Sequence, residues 1–355
     1  MDKVKVAVLG ATGLVGQKFI QLLNNHPWFE VVAVTASERN VGKKYGEAVS
    51  WYHEGGIPEY VRDLVLRRSD PEEIPGDVEY VFSALPRNVA QEVEPLFAKK
   101  GFKVISNAGA FRMDSDVPLI IPEINWNHIE LINVQRRRRG WSGAIVKNSN
   151  CTTAILVLSL KPLVDYFGVR RVIVTTMQAL SGAGYRGVPS MAIIDNIIPY
   201  IEGEEWKVEN EGLKILGKLS GDHVEYADIK ISATTARVPT LYGHLESVHV
   251  ELKNKPKSLD EIVDAMREFE GIPQKLKLPL APEKPVLVVS DPDRPQPRLD
   301  RNAGRGMAVV VGRVSWASNI GDNWVKYIVL GHNLVRGAAG NTILIAEAMH
   351  RLGVD

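Results

Sequence analysis

The sequence predicts a Rossmann-type doubly wound parallel α/β sheet followed by an α+β domain built on a mainly antiparallel sheet. Three observations carry this. The first half alternates β-branched runs with helical stretches, a glycine-rich turn joins the first strand to the first helix, and beyond residue 151 long strands follow one another with few helices between. With 355 residues, 45% hydrophobic and 24% charged, the chain is long enough for two cores. The expected division is 1–150 with 331–355, and 151–330.

Taken in order, 3–9 is a strand rich in valine, and Gly10-Ala11-Thr12-Gly13-Leu14-Val15-Gly16 follows it directly. Residues 17–23 have helical periodicity, so the glycines lie in a strand-to-helix turn where backbone approaches a pyrophosphate. A second strand at 29–35 completes a βαβ unit of the size that binds a dinucleotide. Further strands are expected at 78–84, 103–106, 119–121 and 143–147, with a helix at 89–99. In the second half, strands are expected at 171–178, 230–235, 245–252, 286–289, 308–315 and 324–330, and a helix at 259–269. A last helix, 341–352, is long enough to return to the first domain.

The residues after the second strand bear on which nicotinamide cofactor fits. Ser37, Arg39 and Lys43 suit a 2′-phosphate and hence NADP, whereas Glu38 suits the ribose hydroxyls of NAD. Ligands in such sheets bind at the carboxyl ends of strands, where Ser83-Ala84-Leu85, Ser106-Asn107-Ala108-Gly109 and Asn148-Ser149-Asn150-Cys151 fall.

Cys151 is the single cysteine, which excludes an internal disulfide and a cysteine-based metal cage. It sits between an apolar strand and an apolar helix. A helix N-terminus offers free N–H groups and a positive dipole end, which stabilise a thiolate and then an oxyanion. In the second half, Arg237 and His244 lie seven residues apart in a strand-to-strand link. Arginine suits bidentate capture of a carboxylate, and histidine near a cysteine handles protons.

Net charge of +1 supplies no field for nucleic acid or an acidic membrane, so a charged substrate must be held by local cations. The run Arg136 to Arg139 reads as a solvated helix end or an intersubunit ion-pair cluster. No apolar stretch approaches the ~18 residues of a membrane span, so a cytoplasmic location is expected. His53, His128, His223 and His350 lack metal-ligand spacing, and no metal is expected.

The chain resembles the aspartate-β-semialdehyde dehydrogenases, in their archaeal and fungal branch. The motifs that carry the resemblance are the 10–16 loop, Ser106 to Arg112, Asn150-Cys151-Thr152, Gln178 with Ser181-Gly182-Ala183-Gly184, Gly203 to Lys207, Arg237 to His244 and Asn333 to Gly340. The resemblance implies reduction of β-aspartyl phosphate with NADPH through a thioester, on the route to lysine, threonine, methionine and isoleucine. It further implies Cys151 as nucleophile, His244 as acid/base group and Gln178 as the residue positioning the carbonyl. Arg237 would hold the substrate carboxylate, Glu204 the amine with Glu205 as the alternative, and Arg112, Asn150 and Lys207 the phosphate. Ser181, Gly182 and Asn333 would approach the cofactor, and a homodimer or homotetramer is expected. Malonyl-CoA or succinyl-CoA reductases and N-acetyl-glutamyl-phosphate reductases share this fold and thiol chemistry, and remain alternatives.

Overall fold

The computed structural model describes residues 3–354. Its first sheet contains β1 (Val4–Leu9), β2 (Phe29–Thr35), β3 (Leu66–Arg67), β4 (Tyr80–Ser83), β5 (Lys103–Ser106) and β6 (Ala144–Lys147). The order is β3-β2-β1-β4-β5-β6 and every pairing is parallel. Val6 to Leu9 are fully buried because helices cover both faces, as a parallel sheet requires. Strand order reverses between β1 and β4, which opens a crevice at their carboxyl ends.

The expected strand at 119–121 does not form. Leu119 makes one isolated bridge to Lys147, and only the Ile120 N–H reaches a β6 carbonyl, at 2.9 Å. Pro118 and Pro122 flank the segment and supply no N–H, so the ladder cannot extend.

The second sheet contains β7 (Val169–Gln178), β10 (Lys230–Arg237), β11 (His244–Leu252), β12 (Val286–Val288), β13 (Val309–Trp316) and β14 (Trp324–Gly331); a separate hairpin pairs β8 (Lys218–Ser220) with β9 (His223–Glu225). The order is β10-β7-β11-β14-β13-β12. The three central pairings are antiparallel and the two outer ones parallel, so the sheet is mixed at its edges.

Chain direction places the site. The apolar helix Cys151–Phe167 begins three residues beyond β6 and packs on the second sheet through Ile155, Leu158 and neighbours. Its first residue therefore stands where the two sheets meet. The helix Gly340–Leu352 returns to the first core through Ile343, Leu344 and Met349. Just before it, Arg336 is wholly buried and donates to both oxygens of buried Glu123, at 3.1 and 2.7 Å. Within the run Arg136 to Arg139, two arginines find ion-pair partners in their own chain rather than in another subunit: Arg139 pairs with Asp114 and Asp116, and Arg138 with Asp222.

Removing one partner of a fully desolvated ion pair strands the other's charge. Arg336→Met should therefore cost about 3–5 kcal/mol and lower Tm in calorimetry, while Arg336→Met with Glu123→Leu should recover most of the loss. Equal Tm values for the single and double variants would show the pair to be energetically uncoupled.

Candidate active site

Asn150 caps the Cys151–Phe167 helix. Its Oδ1 accepts from the N–H groups of Thr152 and Thr153, both at 3.0 Å, while its Nδ2 donates to Glu204 Oε1 at 2.8 Å. Its own N–H donates to Glu211 Oε2 at 2.6 Å. Cys151 is thus the first helical residue, presented to a cavity of about 950 Å³ that runs from the crevice of the first sheet to the end of the second. Gly337 closes over it: a Cβ built there would lie 2.5 Å from Cys151 Cβ.

His244 begins β11 and is fully buried, with Nε2 3.2 Å from Cys151 Sγ. Burial, then the nearby Arg237 cation, pushes the imidazole down to about 3. Burial, reinforced by the Glu204 carboxylate, pushes the thiol up to about 12 against the pull of Arg237 and Arg112. Arg237 ends β10 and is held by a 2.7 Å bond from Nη1 to the Ala179 carbonyl. Gly182 presses on both residues, for a Cβ there would approach Arg237 Nη1 to 2.8 Å and His244 Cε1 to 3.2 Å. Gln178, buried at the end of β7, reaches Thr176 Oγ1 at 3.3 Å and lines the cavity.

Cations and free donors gather along the same cavity. Arg112 donates to Glu211 at 3.0 Å and to the Asn107 carbonyl at 2.6 Å, and Lys207 pairs with Glu204 at 3.1 Å. The buried Arg112 Nε, Ser149 Oγ and Asn107 Nδ2 have no partner among the described residues, although their residues line the cavity. Three orphaned donors beside two cations suit an anionic group. Glu204 is buried on the wall; burial raises its carboxyl, but Lys207 and Asn150 hold it below the usual range. Glu205 turns away and accepts from the Thr235 N–H at 3.1 Å.

At the other end, Gly13 caps the Leu14–Leu23 helix without any side-chain bond, so first-turn amides stay open, and Gly13, Leu14 and Val15 line the cavity. A Cβ on Gly16 would stand 2.2 Å from the Gly10 carbonyl, which shows how tightly this turn folds under the helix end. Such a cradle fits a pyrophosphate. Ser37 and Arg39 are exposed beyond β2, and Glu38 pairs with Arg68 at 3.3 Å, leaving Arg39 free. Thr12 and Leu85 are half-buried behind the cradle. The Ser83 hydroxyl is spent inside the fold, donating to Glu94 at 2.8 Å, so it does not face the crevice as expected. Ser181 and Asn333 both line the cavity and share a 2.8 Å hydrogen bond. Among the described residues, no cluster of three His, Cys, Asp or Glu is placed to hold a metal, and no helix is long and apolar enough to cross a membrane.

Residues 5–132 match the family described as semialdehyde dehydrogenase, NAD binding domain, and residues 160–336 match semialdehyde dehydrogenase, dimerisation domain. An aspartate-semialdehyde dehydrogenase of Archaeoglobus fulgidus is 56% identical over 98% of both chains. This chain belongs to the aspartate-semialdehyde dehydrogenase family. A solved structure of aspartate semialdehyde dehydrogenase with NADP from Candida albicans matches with a TM-score of 0.90 at 41% identity, covering 100% of each chain. A malonyl CoA reductase (NADP) of Metallosphaera sedula is also 41% identical, over 99% of this chain and 98% of its own.

Beyond the expected residues, this family member brings Glu211, Gly337 and Glu246 to the site. Nothing in the sequence pattern marks Glu211, whose two oxygens join Arg112 to the cap of the helix that starts at Cys151. Glu246 follows His244 by two on β11 and so shares its face. It is fully buried, neither oxygen has a hydrogen-bond partner among the described residues, and burial with nearby Glu204 raises its carboxyl well above 4.5.

A methyl group at Gly337 has nowhere to go except against Cys151. Gly337→Ala should lower kcat by about 10²-fold with NADP affinity retained, because displacing a reacting atom by ~1 Å has that effect; unchanged turnover would show that the contact relaxes freely. Glu246 gives a second expectation. The unfolded chain releases this proton near 4.5 while the fold keeps it, so stability falls as pH rises above that value. Glu246→Gln removes this dependence, and the variant's Tm should gain on wild type steadily from pH 5 to 8. A constant difference would mean that Glu246 ionises normally in the fold.

Proposed function

We propose that this chain is an NADP-dependent aspartate-semialdehyde dehydrogenase, reducing L-aspartyl-4-phosphate to L-aspartate 4-semialdehyde with release of phosphate. The carrying observation is the 3.2 Å contact between Cys151 and His244 in a cavity whose wall also holds Arg237, Arg112, Lys207 and Glu204. An acyl phosphate that bears its own carboxylate and ammonium asks for this set: a planar fork, an anion for the amine and cations for the phosphoryl group.

In this reading Cys151 attacks the acyl carbon. The C–S bond forms as the bond from carbon to the phosphoryl oxygen breaks, leaving a thioester. Arg237 holds the α-carboxylate, Glu204 the ammonium and Gln178 the carbonyl, while Arg112, Lys207 and Asn150 hold the phosphate. Bound NADPH supplies the hydride that takes the thioester to the aldehyde. The amides of 13–15 and the turn under them hold its pyrophosphate, with Ser37 and Arg39 at the 2′-phosphate and Ser181, Gly182 and Asn333 toward the nicotinamide. His244 and the helix N-terminus receive the charge on sulfur as the product leaves.

Residues 1–150 with 331–355 form the cofactor domain, and 151–330 the catalytic and dimerisation domain. The matched dimerisation domain supports an oligomer; a cytoplasmic homodimer or homotetramer fits the pathway role.

The Metallosphaera relative keeps a second reading open, in which coenzyme A replaces phosphate as leaving group. Assaying aspartate semialdehyde with phosphate and NADP beside malonyl-CoA with NADPH separates them, and turnover of malonyl-CoA alone would reverse the assignment. Within the favoured reading, Arg237→Lys keeps the charge but loses the fork. It should raise KM for aspartate semialdehyde at least tenfold, on the scale of about 1.4 kcal/mol or more for a charge-assisted bidentate contact. A silent substitution would remove Arg237 from carboxylate capture.

A further inference from the structure

One face of the helix Glu204–Ile215 carries Glu204, Lys207, Glu211 and Lys214, spaced by three, four and three residues. The first three line the cavity, and Glu211 also binds Arg112 and the Asn150 N–H. Lys214 is wholly buried behind the cavity wall. Its Nζ donates to the carbonyl oxygens of Arg112, Asp114 and Val117, at 2.8, 2.7 and 2.8 Å. Only an ammonium has three N–H groups to give, so the charge is present and every donor is used. Carbonyl dipoles meet that charge directly, with Asp114, Asp116 and Glu211 adding a favourable field.

The segment that Lys214 holds has no regular structure of its own. Residues 107–117 contain neither helix nor strand, and Phe111 adopts a left-handed φ of 64°, which is unfavourable for a bulky residue. Arg112 follows it immediately. The Arg112 guanidinium is tied through Nη1 to Glu211 and through Nη2 to the Asn107 carbonyl, while its buried Nε has no partner among the described residues. One helix therefore grips Arg112 twice, by side chain through Glu211 and by backbone through Lys214. Arg139 holds the side chains of Asp114 and Asp116 and leaves their backbone to the ammonium.

We propose that Lys214 is a positioning residue for the leaving-group pocket: its ammonium clamps the backbone of 112–117 so that Arg112 presents its free Nε to the phosphoryl group. The proposal rests on the reading of Arg112 as a phosphate ligand. Lys214 touches no reactant, since all three of its protons are bound within the fold, and it acts on phosphate through Arg112. Arg237 and the glycine turn at 10–16 stand on other elements. Loss of the clamp should thus weaken phosphate capture and spare the capture of aldehyde and cofactor.

Initial rates of the full-length enzyme in the phosphorylating direction, with phosphate, aspartate semialdehyde and NADP varied in turn, test this. Lys214→Met fills similar space without a donor. It should raise KM for phosphate by about tenfold or more, while KM for aspartate semialdehyde and for NADP changes by no more than about twofold. Lys214→Gln retains an amide donor and should show a smaller rise in the same constant; it carries the test if methionine, which leaves three buried carbonyls bare, prevents folding. Arg112→Ala supplies the comparison. In that background either substitution at 214 should change KM for phosphate by less than about twofold, because the group through which Lys214 acts is gone. Unchanged constants, an equal loss for all three reactants, or independent losses in the double variant would overturn the proposal. An Arg112→Ala enzyme with wild-type KM for phosphate would instead overturn the phosphate assignment on which it stands.

Discussion

Asn150 joins three parts of the molecule through three different groups. Its side-chain oxygen caps the helix that starts at Cys151, its side-chain amide holds Glu204, and its backbone N–H is bound by Glu211, which also grips Arg112. Placing Cys151, Glu204 and Arg112 thus comes down to the conformation of one residue. An N-cap contributes on the order of 1 kcal/mol to a helix. Its larger consequence here is geometric, since a shift of this cap would move groups on three segments at once.

Such a site needs rigid surroundings, because it desolvates many charged groups. Arg112, Glu204, Glu211 and Arg237 are each less than a tenth exposed, and the Glu246 carboxyl has no hydrogen-bond partner among the described residues. Two apolar cores meet at this point, one under each sheet, and the chain crosses between them at Cys151. The return of the C-terminal segment completes the clamp. Glu123 and Arg336 lock it to the first sheet, and Gly337 then lies against Cys151. Catalytic geometry here follows from how two layers and a returning tail pack.

Local regularity was readable in the sequence, and so was the chemistry that depends on residue type. β-Branched runs alternating with helical stretches and the glycine turn at 10–16 identify the parallel sheet, and most strand ends fall within two or three residues of expectation. Cys151 at a strand-to-helix junction announces a thiol site. The 119–121 segment has strand composition, but its flanking prolines decide against a ladder. Glu211 is an ordinary residue until tertiary packing sets it beside Arg112, and Gly337, although it lies in the 333–340 motif, shows its closeness to Cys151 only in the packed fold. Ser83 misleads in the opposite way, since it lies at the carboxyl end of β4 yet its hydroxyl turns inward to Glu94. Glu38 pairs with Arg68, thirty residues away and outside any motif, a contact that the residues around it do not announce.

The account depends on covalent acylation of Cys151. Quenching wild-type enzyme after mixing with aspartyl phosphate in the absence of NADPH, then weighing the peptide that contains Cys151, tests this most directly. The account predicts the mass of one aspartyl group on that peptide alone, removable by hydroxylamine. An unmodified Cys151 peptide from enzyme that reduces the same substrate once NADPH is added would contradict it.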